Sequence, residues 1–353
     1  MLVTLNLKRL VLILKSKNLF ICFYICIFLS VVFVLSLNFP SNKNLSNSQV
    51  VRLNEVTRSV FYAPQYVAIE LGYFKDNNLE VKLSSAEGSD RTMTAILSNK
   101  ADIGLLGTSS VISVYSQGKE DYPILFAQLT HRDGSFLVGR ESNFEWDNLK
   151  GKEIIAGRKG GVPEMVLEYI LKNKGFDIQN DLTLLNNIKF DLMGIAFSRG
   201  VGDYVCLFEP TASMLKNEKS FHILKSLGAE CDEISYTGYC ASKKYIQDNP
   251  EVIQSFVDAI YKAQIWINNH SSEEIAELIL PYFVDSSLEL LTECVENYIS
   301  SQVWCSEPII KKLGFDLLQK IMIEAKELDK EVKFENLVEN NFSFNAVNKI
   351  NAS

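Results

Sequence analysis

Glu153-Ile154-Ile155-Ala156-Gly157-Arg158-Lys159-Gly160-Gly161-Val162-Pro163-Glu164 decides how this chain is read. A short apolar run passes through a glycine turn into a segment whose apolar residues, Met165, Leu167, Tyr169, Ile170 and Leu171, follow a helical pattern. The stretch predicts strand, tight turn and helix. Glycine lets the backbone turn sharply, Pro163 suits the start of a helix, and the unpaired N–H groups of the first turn carry partial positive charge into the loop. A small electron-rich group can sit there, and an ordinary strand-to-helix turn accounts for the same residues. No Gly-Lys-Ser/Thr closes the loop and it is not a Gly-x-Gly-x-x-Gly fingerprint, which disfavours a phosphate-handling enzyme.

Outward from this point, strand and helix patterns alternate. Val51, Leu53 and Val56 predict a strand, residues 64–71 a helix stopped at Gly72, and Leu79, Val81 and Leu83 a strand with one buried face. Ser89 or Asp90 can cap a helix carrying Met93, Ile96 and Leu97, followed by a strand over 101–106 and a helix over 109–117 that ends at Gly118. Units of this length demand parallel pairing. Strands over 123–128 and 136–139 mark a crossing into a second lobe, which holds strand 153–156, helix 163–173, strand 183–185, a short helix near 192–198 and strand 204–208. Residues 236–241 cross back, and beyond Pro250 the pattern is mostly helical. The expected organisation is α/β in two lobes with two hinge crossings: lobe 1 from residues 51–135 and 239–353, lobe 2 from residues 136–238.

Residues 19–39 carry no charge and are long enough to cross a bilayer. They follow Lys8, Arg9, Lys15 and Lys17, so the positive-inside bias leaves residues 1–18 in the cytoplasm and sends the chain after Pro40 outside. No small-x-small cleavage site closes the run, which predicts an uncleaved membrane anchor joined by the Ser- and Asn-rich linker 40–50. Cys22 and Cys26 each follow a bulky isoleucine and do not fit lipid attachment. Residues 1–49 hold five basic and no acidic residues, so the net charge of −8 becomes −13 without them, and a nucleic-acid partner is not expected. His131, His222 and His270 lie far apart, and Cys206, Cys231, Cys240, Cys294 and Cys305 are odd in number and scattered. Neither a metal site, a cofactor nor a disulfide framework is expected.

Three motifs occur in order across the region after the anchor: Ala63-Pro64-Gln65-Tyr66-Val67-Ala68 with Leu71-Gly72-Tyr73-Phe74, then Ala101-Asp102-Ile103-Gly104, then Phe208-Glu209-Pro210-Thr211. Through them, from about residue 51 to 332, the chain resembles the exported substrate-binding proteins of ABC importers. The group in question covers nitrate, sulfonate, taurine and thiamine-pyrimidine-precursor binding and shares its fold with the fungal thiamine-pyrimidine synthases. The resemblance implies a two-lobe, type II periplasmic-binding-protein-like fold and a small-molecule solute clamped in the cleft by hinge closure. It also implies ABC permease subunits with a cytoplasmic ATPase as partners, and a monomeric binding protein. Relatives are usually lipidated or released, whereas this chain reads as tethered.

In such a fold, loops at the carboxyl ends of strands line the cleft. Phe61 and Tyr62 can stack on a flat ligand or pack beneath the helix that follows. Ser89, Arg91 and Thr108 can bind a polar group, although helix capping explains the hydroxyls as well. Arg158, Gly160 and Gly161 form the glycine loop, which the resemblance places where relatives contact substrate. Glu209 can receive an N–H from the ligand or pair across the hinge, and Tyr236 stands at the second crossing. Aromatics with a carboxylate suit a pyrimidine-like vitamin precursor, while Arg58, Arg91, Arg158 and Lys159 suit a sulfonate. A vitamin-precursor biosynthetic enzyme on the same fold is the alternative. It is opposed by predicted export and by the absence of the cysteine-rich run that marks the fungal synthases. An anchored sensor is a third reading, weakened by a cytoplasmic segment too short to fold.

Overall fold

The computed structural model describes residues 48–351 except Asp121 and Lys219, so the basic segment 1–18, the anchor 19–39 and most of the linker 40–50 lie outside the described residues. Among the described residues no helix is long and apolar enough to cross a membrane. The described residues form one compact unit built around two five-stranded sheets.

The first sheet has the order β2-β1-β3-β10-β4, from β1 (Gln49–Glu55), β2 (Leu79–Ser85), β3 (Ile103–Gly107), β4 (Pro123–Thr130) and β10 (Thr237–Ser242). β1 pairs in parallel with both β2 and β3. Strand β3 is buried throughout, as expected of a central strand covered on both faces, whereas β2 at the edge is largely exposed. Helices α1 (Ala63–Glu70), α2 (Ser89–Leu97) and α3 (Thr108–Ser116) connect these strands.

The second sheet has the order β7-β6-β8-β5-β9, from β5 (Phe136–Gly139), β6 (Glu153–Ile155), β7 (Thr183–Leu185), β8 (Tyr204–Leu207) and β9 (His222–Ser226). Its helices are α4 (Val162–Asn173), α5 (Met193–Ser198), α6 (Thr211–Asn217) and α7 (Leu227–Glu230). Each sheet takes in one antiparallel strand directly after a crossing: β5 beside β8, and β10 between β3 and β4. Residues 236–241 were expected to cross back. Most of them form β10 instead, because the run is apolar enough to be buried in the middle of the first sheet, and the return is made by residues 231–236 just before it. Strand β9 lacked a readable pattern, since its residues are all half-buried at a sheet edge.

Ser89 and Asp90 do not cap α2. Gly88 is the N-cap, at φ 150°, and both residues lie inside the first turn. The helices α8 (Pro250–Asn268), α9 (Ser272–Ile279), α10 (Leu288–Ser300), α11 (Lys312–Glu324) and α12 (Asn341–Asn351) complete the chain. Residues 302–308, which follow α10, run along the end of β4 and onto the first crossing. His131 N–H donates to Val303 O at 3.0 Å, Cys305 N–H to Leu129 O at 3.0 Å, and Gln128 N–H to Pro308 O at 2.8 Å. His131 is half-buried, with Nε2 2.7 Å from Gln302 O.

The two crossings touch through the Ile234 N–H, which donates to His131 O at 2.9 Å, and the first crossing also packs on Gly228 of α7, where an added Cβ would collide with Asp133 O. Backbone cannot yield there as a flexible side chain can. Gly228→Ala is expected to destabilise the protein by about 1–3 kcal/mol, the usual cost of overpacking. Urea unfolding of the two proteins checks this, and an unchanged midpoint would count against the tight packing of the crossings.

Candidate functional site

Phe61 sits where the two sheets meet. It follows β1, and its ring centroid lies 5.5 Å from Phe208 at the end of β8, 5.4 Å from Tyr236 on the second crossing, 5.5 Å from Tyr298 in α10 and 5.7 Å from Tyr62. Edge-on and tilted pairs of this kind contribute about 0.5–1.5 kcal/mol each beyond their buried area. Trp304 Nε1 donates to Phe61 O at 3.0 Å and holds the loop in place. Gly134, in the first crossing, must be glycine here: an added Cβ would lie 2.5 Å from Phe61 Cε2 and 2.9 Å from Phe208 Cε1. Rings from both lobes thus close onto bare backbone, and the junction is filled by the protein's own aromatic side chains.

Beside this cluster lies Asp133, only 1% exposed. The Ser135 N–H donates to Oδ1 at 2.7 Å and the Ser135 hydroxyl donates to the same oxygen. Oδ2 is buried with no hydrogen-bond partner. Burial pushes the Asp133 carboxyl up, and Ser135 and the nearby Tyr236 phenol only partly offset this. Burial also holds the Tyr236 and Tyr298 phenols well above the ordinary tyrosine range; after burial the Asp133 charge comes first at Tyr236, whereas at Tyr298 the Glu209 charge comes first and Asp133 last.

Phe61, Tyr62 and Tyr236 are brought together at this junction, and all three are buried. Thr108 is buried as well, but its hydroxyl is 3.1 Å from Ser235 Oγ and its N–H donates to Tyr236 O at 3.0 Å, so it ties α3 to the second crossing. Glu209 does not present an open carboxylate. Ser213 donates to it through N–H at 3.0 Å and Oγ at 2.9 Å, and Asn297 Nδ2 at 2.7 Å, while the Glu209 N–H donates to the Tyr298 hydroxyl at 3.0 Å. The carboxylate therefore fastens lobe 2 to α10. Ser89 is half-buried at the start of α2, and Arg91 is exposed and paired with Glu87 at 3.3 Å. Arg58 is bound to Glu55 at 3.1 Å. Among the described residues no lysine or arginine lies over the Phe61, Phe208, Tyr236 or Tyr298 ring.

The glycine loop takes the form its sequence implies, with Gly161 as N-cap of α4, Pro163 in the first turn and Gly160 at φ 72°. Its polar groups are partly spent internally. The Gly160 N–H donates to Glu164 Oε2 at 3.2 Å, and Asn186 Nδ2 donates to Glu164 Oε1 at 3.1 Å. Gly160 faces Glu327, whose Cδ would be 2.7 Å from an added Cβ, and Arg158 is exposed. Sequence reasoning passed over Asp133, Tyr298 and Trp304. Asp133 lies in Thr130-His131-Arg132-Asp133-Gly134-Ser135, which reads as a turn, and nothing local distinguishes Tyr298 from any helical core residue.

Two α/β sheets joined by paired crossings, with strand-end loops of both meeting at the hinge, define a periplasmic-binding-protein-like fold. The family model described as "NMT1/THI5 like" matches residues 60–274, and the chain belongs to that family. It is 42% identical over 290 residues to "Putative binding protein YtlA" of Bacillus subtilis (strain 168), an alignment covering 82% of this chain and 87% of that protein. It is also similar, at 24% identity over 66% of this chain and 71% of the relative, to 4-amino-5-hydroxymethyl-2-methylpyrimidine phosphate synthase of Candida albicans (strain WO-1). Among solved structures, the alkanesulfonate-binding protein SsuA from Xanthomonas axonopodis pv. citri, bound to MOPS, superimposes with a TM-score of 0.67. The match covers 84% of this chain and 99% of that one, and at 13% identity it is a likeness of fold.

Burial, and after it the charge of Glu168, push the Glu164 carboxyl up to about 7. The folded protein therefore holds this proton more firmly than the unfolded chain does. The stability this contributes is complete below the ordinary carboxylate value and is lost as pH rises through about 7. Glu164→Gln removes the cost of the ionised form, and Asn186 can turn its unpartnered Oδ1 toward the new amide. The variant is expected to melt above the wild type at pH 8 and with it at pH 4. A variant that melts lower at pH 8 in thermal denaturation would contradict this account.

Proposed function

We propose that the chain is the extracytoplasmic solute-binding component of an ABC importer. It captures a small organic solute between its lobes and delivers it to membrane permease subunits served by a cytoplasmic ATPase. It acts as a monomer, held at the membrane by residues 19–39. The observation that carries this reading is the junction of Phe61, Phe208, Tyr236 and Tyr298, contributed by both lobes and a crossing and seated against the first crossing at Gly134. A hinge opening of the lobes would part Phe61 from Phe208 and expose aromatic faces on both sides, and a flat solute could take their place. The similarity to a binding protein over most of the chain supports capture over catalysis. Aromatic walls with no cation over their rings favour a pyrimidine-like vitamin precursor over a sulfonate or nitrate, and Phe61, Tyr62 and Tyr236 are the residues we assign to it.

Thermal-shift measurements on the purified full chain test this with 4-amino-5-hydroxymethyl-2-methylpyrimidine, 1-butanesulfonate and nitrate. A bound ligand at 100 times its Kd adds about 2.7 kcal/mol to stability, which raises Tm by several degrees. The pyrimidine is expected to give that shift. A shift from the sulfonate alone would replace the ligand class, and no shift from any of the three would count against solute capture.

A further inference from the structure

Five carboxylates are buried among the described residues, and four are provided for. Glu55 accepts from Gln65, Tyr66 and Ser85 and pairs with Arg58. Glu164 accepts from Gly160 and Asn186, Glu209 from Ser213 and Asn297, and Asp258 from Gln254 and Lys349. Asp133 is the exception. Oδ1 is served by Ser135, Oδ2 makes no well-formed hydrogen bond, the Tyr236 phenol is the one other donor acting on the carboxyl, and no cation is among the groups acting on its charge. Its neighbour Arg132 is not among the groups acting on its charge: Nη1 donates to the carbonyls of Gly228 at 3.0 Å and Cys231 at 2.8 Å, and Nε is buried without a hydrogen-bond partner of its own. A buried acid left half-served is a liability that the fold alone gives no reason to keep.

Its position supplies a reason. Asp133 precedes Gly134, the residue on which Phe61 and Phe208 rest, and its charge acts on Tyr236 and Tyr298, two other members of the cluster. An acid among aromatic faces recognises positive charge and N–H groups: the carboxylate takes the proton donor, and the ring faces take the cationic or flat body attached to it.

We infer that Asp133 anchors the ligand in the cleft, and that the solute carries a cationic or N–H-donating nitrogen which Oδ2 accepts once the lobes close around it. This rests on the solute-binding reading and narrows it to nitrogenous solutes, with anions excluded.

The experiment compares full-length wild type with Asp133→Asn. Asparagine keeps an oxygen for Ser135 and removes the charge. Melting is recorded without ligand, and binding is measured by calorimetry with 4-amino-5-hydroxymethyl-2-methylpyrimidine, choline and 1-butanesulfonate as probes. We expect wild type to bind a nitrogenous probe and Asp133→Asn to bind it about ten- to a hundredfold more weakly. The ligand-free variant should melt at the same temperature as wild type or higher, since an uncompensated buried charge is gone. A variant that melts lower or does not fold would show that the carboxylate serves the fold, and it would overturn the inference without any ligand. Unchanged affinity for the nitrogenous probe would overturn it too. Binding of butanesulfonate alone would leave solute capture standing and remove Asp133 as its anchor, whereas silence from all three probes would count against solute capture and the inference together.

Discussion

The structure depends on how two chain crossings are held side by side. Residues 131–135 and 231–236 carry the chain between the sheets, and such segments bring backbone polar groups into a buried junction where each must find a partner. Their partners come from one another, through Ile234 and His131, and from a third segment after α10, through Val303. Because residues 302–308 also pair with β4, the hinge is fixed to the first sheet on one side. Tyr298, Asn297 and Glu209 then tie α10 to the second. The C-terminal helices are therefore part of the clamp between the lobes as well as a cover for the first sheet.

From this arrangement follows the character of the site. Strand-end loops of both lobes converge on the crossings, so residues 61, 208 and 236, far apart in sequence, share one aromatic cluster. Packing there is tight enough that Gly134 has no room for a side chain. The junction is aromatic and holds one buried acid, Asp133, beside the rings. The glycine loop, the most conspicuous ligand motif in the sequence, instead satisfies much of its own polarity through Glu164 and faces Glu327.

The sequence by itself settled most of the strands and helices and the α/β class, though not β9 or β10, because periodicity and turn chemistry are local: the Ile154-Ile155 run, the positive φ of Gly160 and the proline in the first turn of α4 act over a few residues. It also marked Phe61 and Tyr62 as aromatics beyond a strand end and Tyr236 as one at the second crossing. Tertiary structure decided what each polar group does. Glu209 follows a short apolar strand and Asp133 lies in a turn, and neither shows its state in sequence, yet one is fully hydrogen-bonded by α6 and α10 and the other keeps an oxygen without a well-formed hydrogen bond. That difference depends on Ser213, Asn297 and Ser135 arriving at particular distances. A carboxylate's state is set by burial and by partners that can lie scores of residues away, and only the folded chain brings them together.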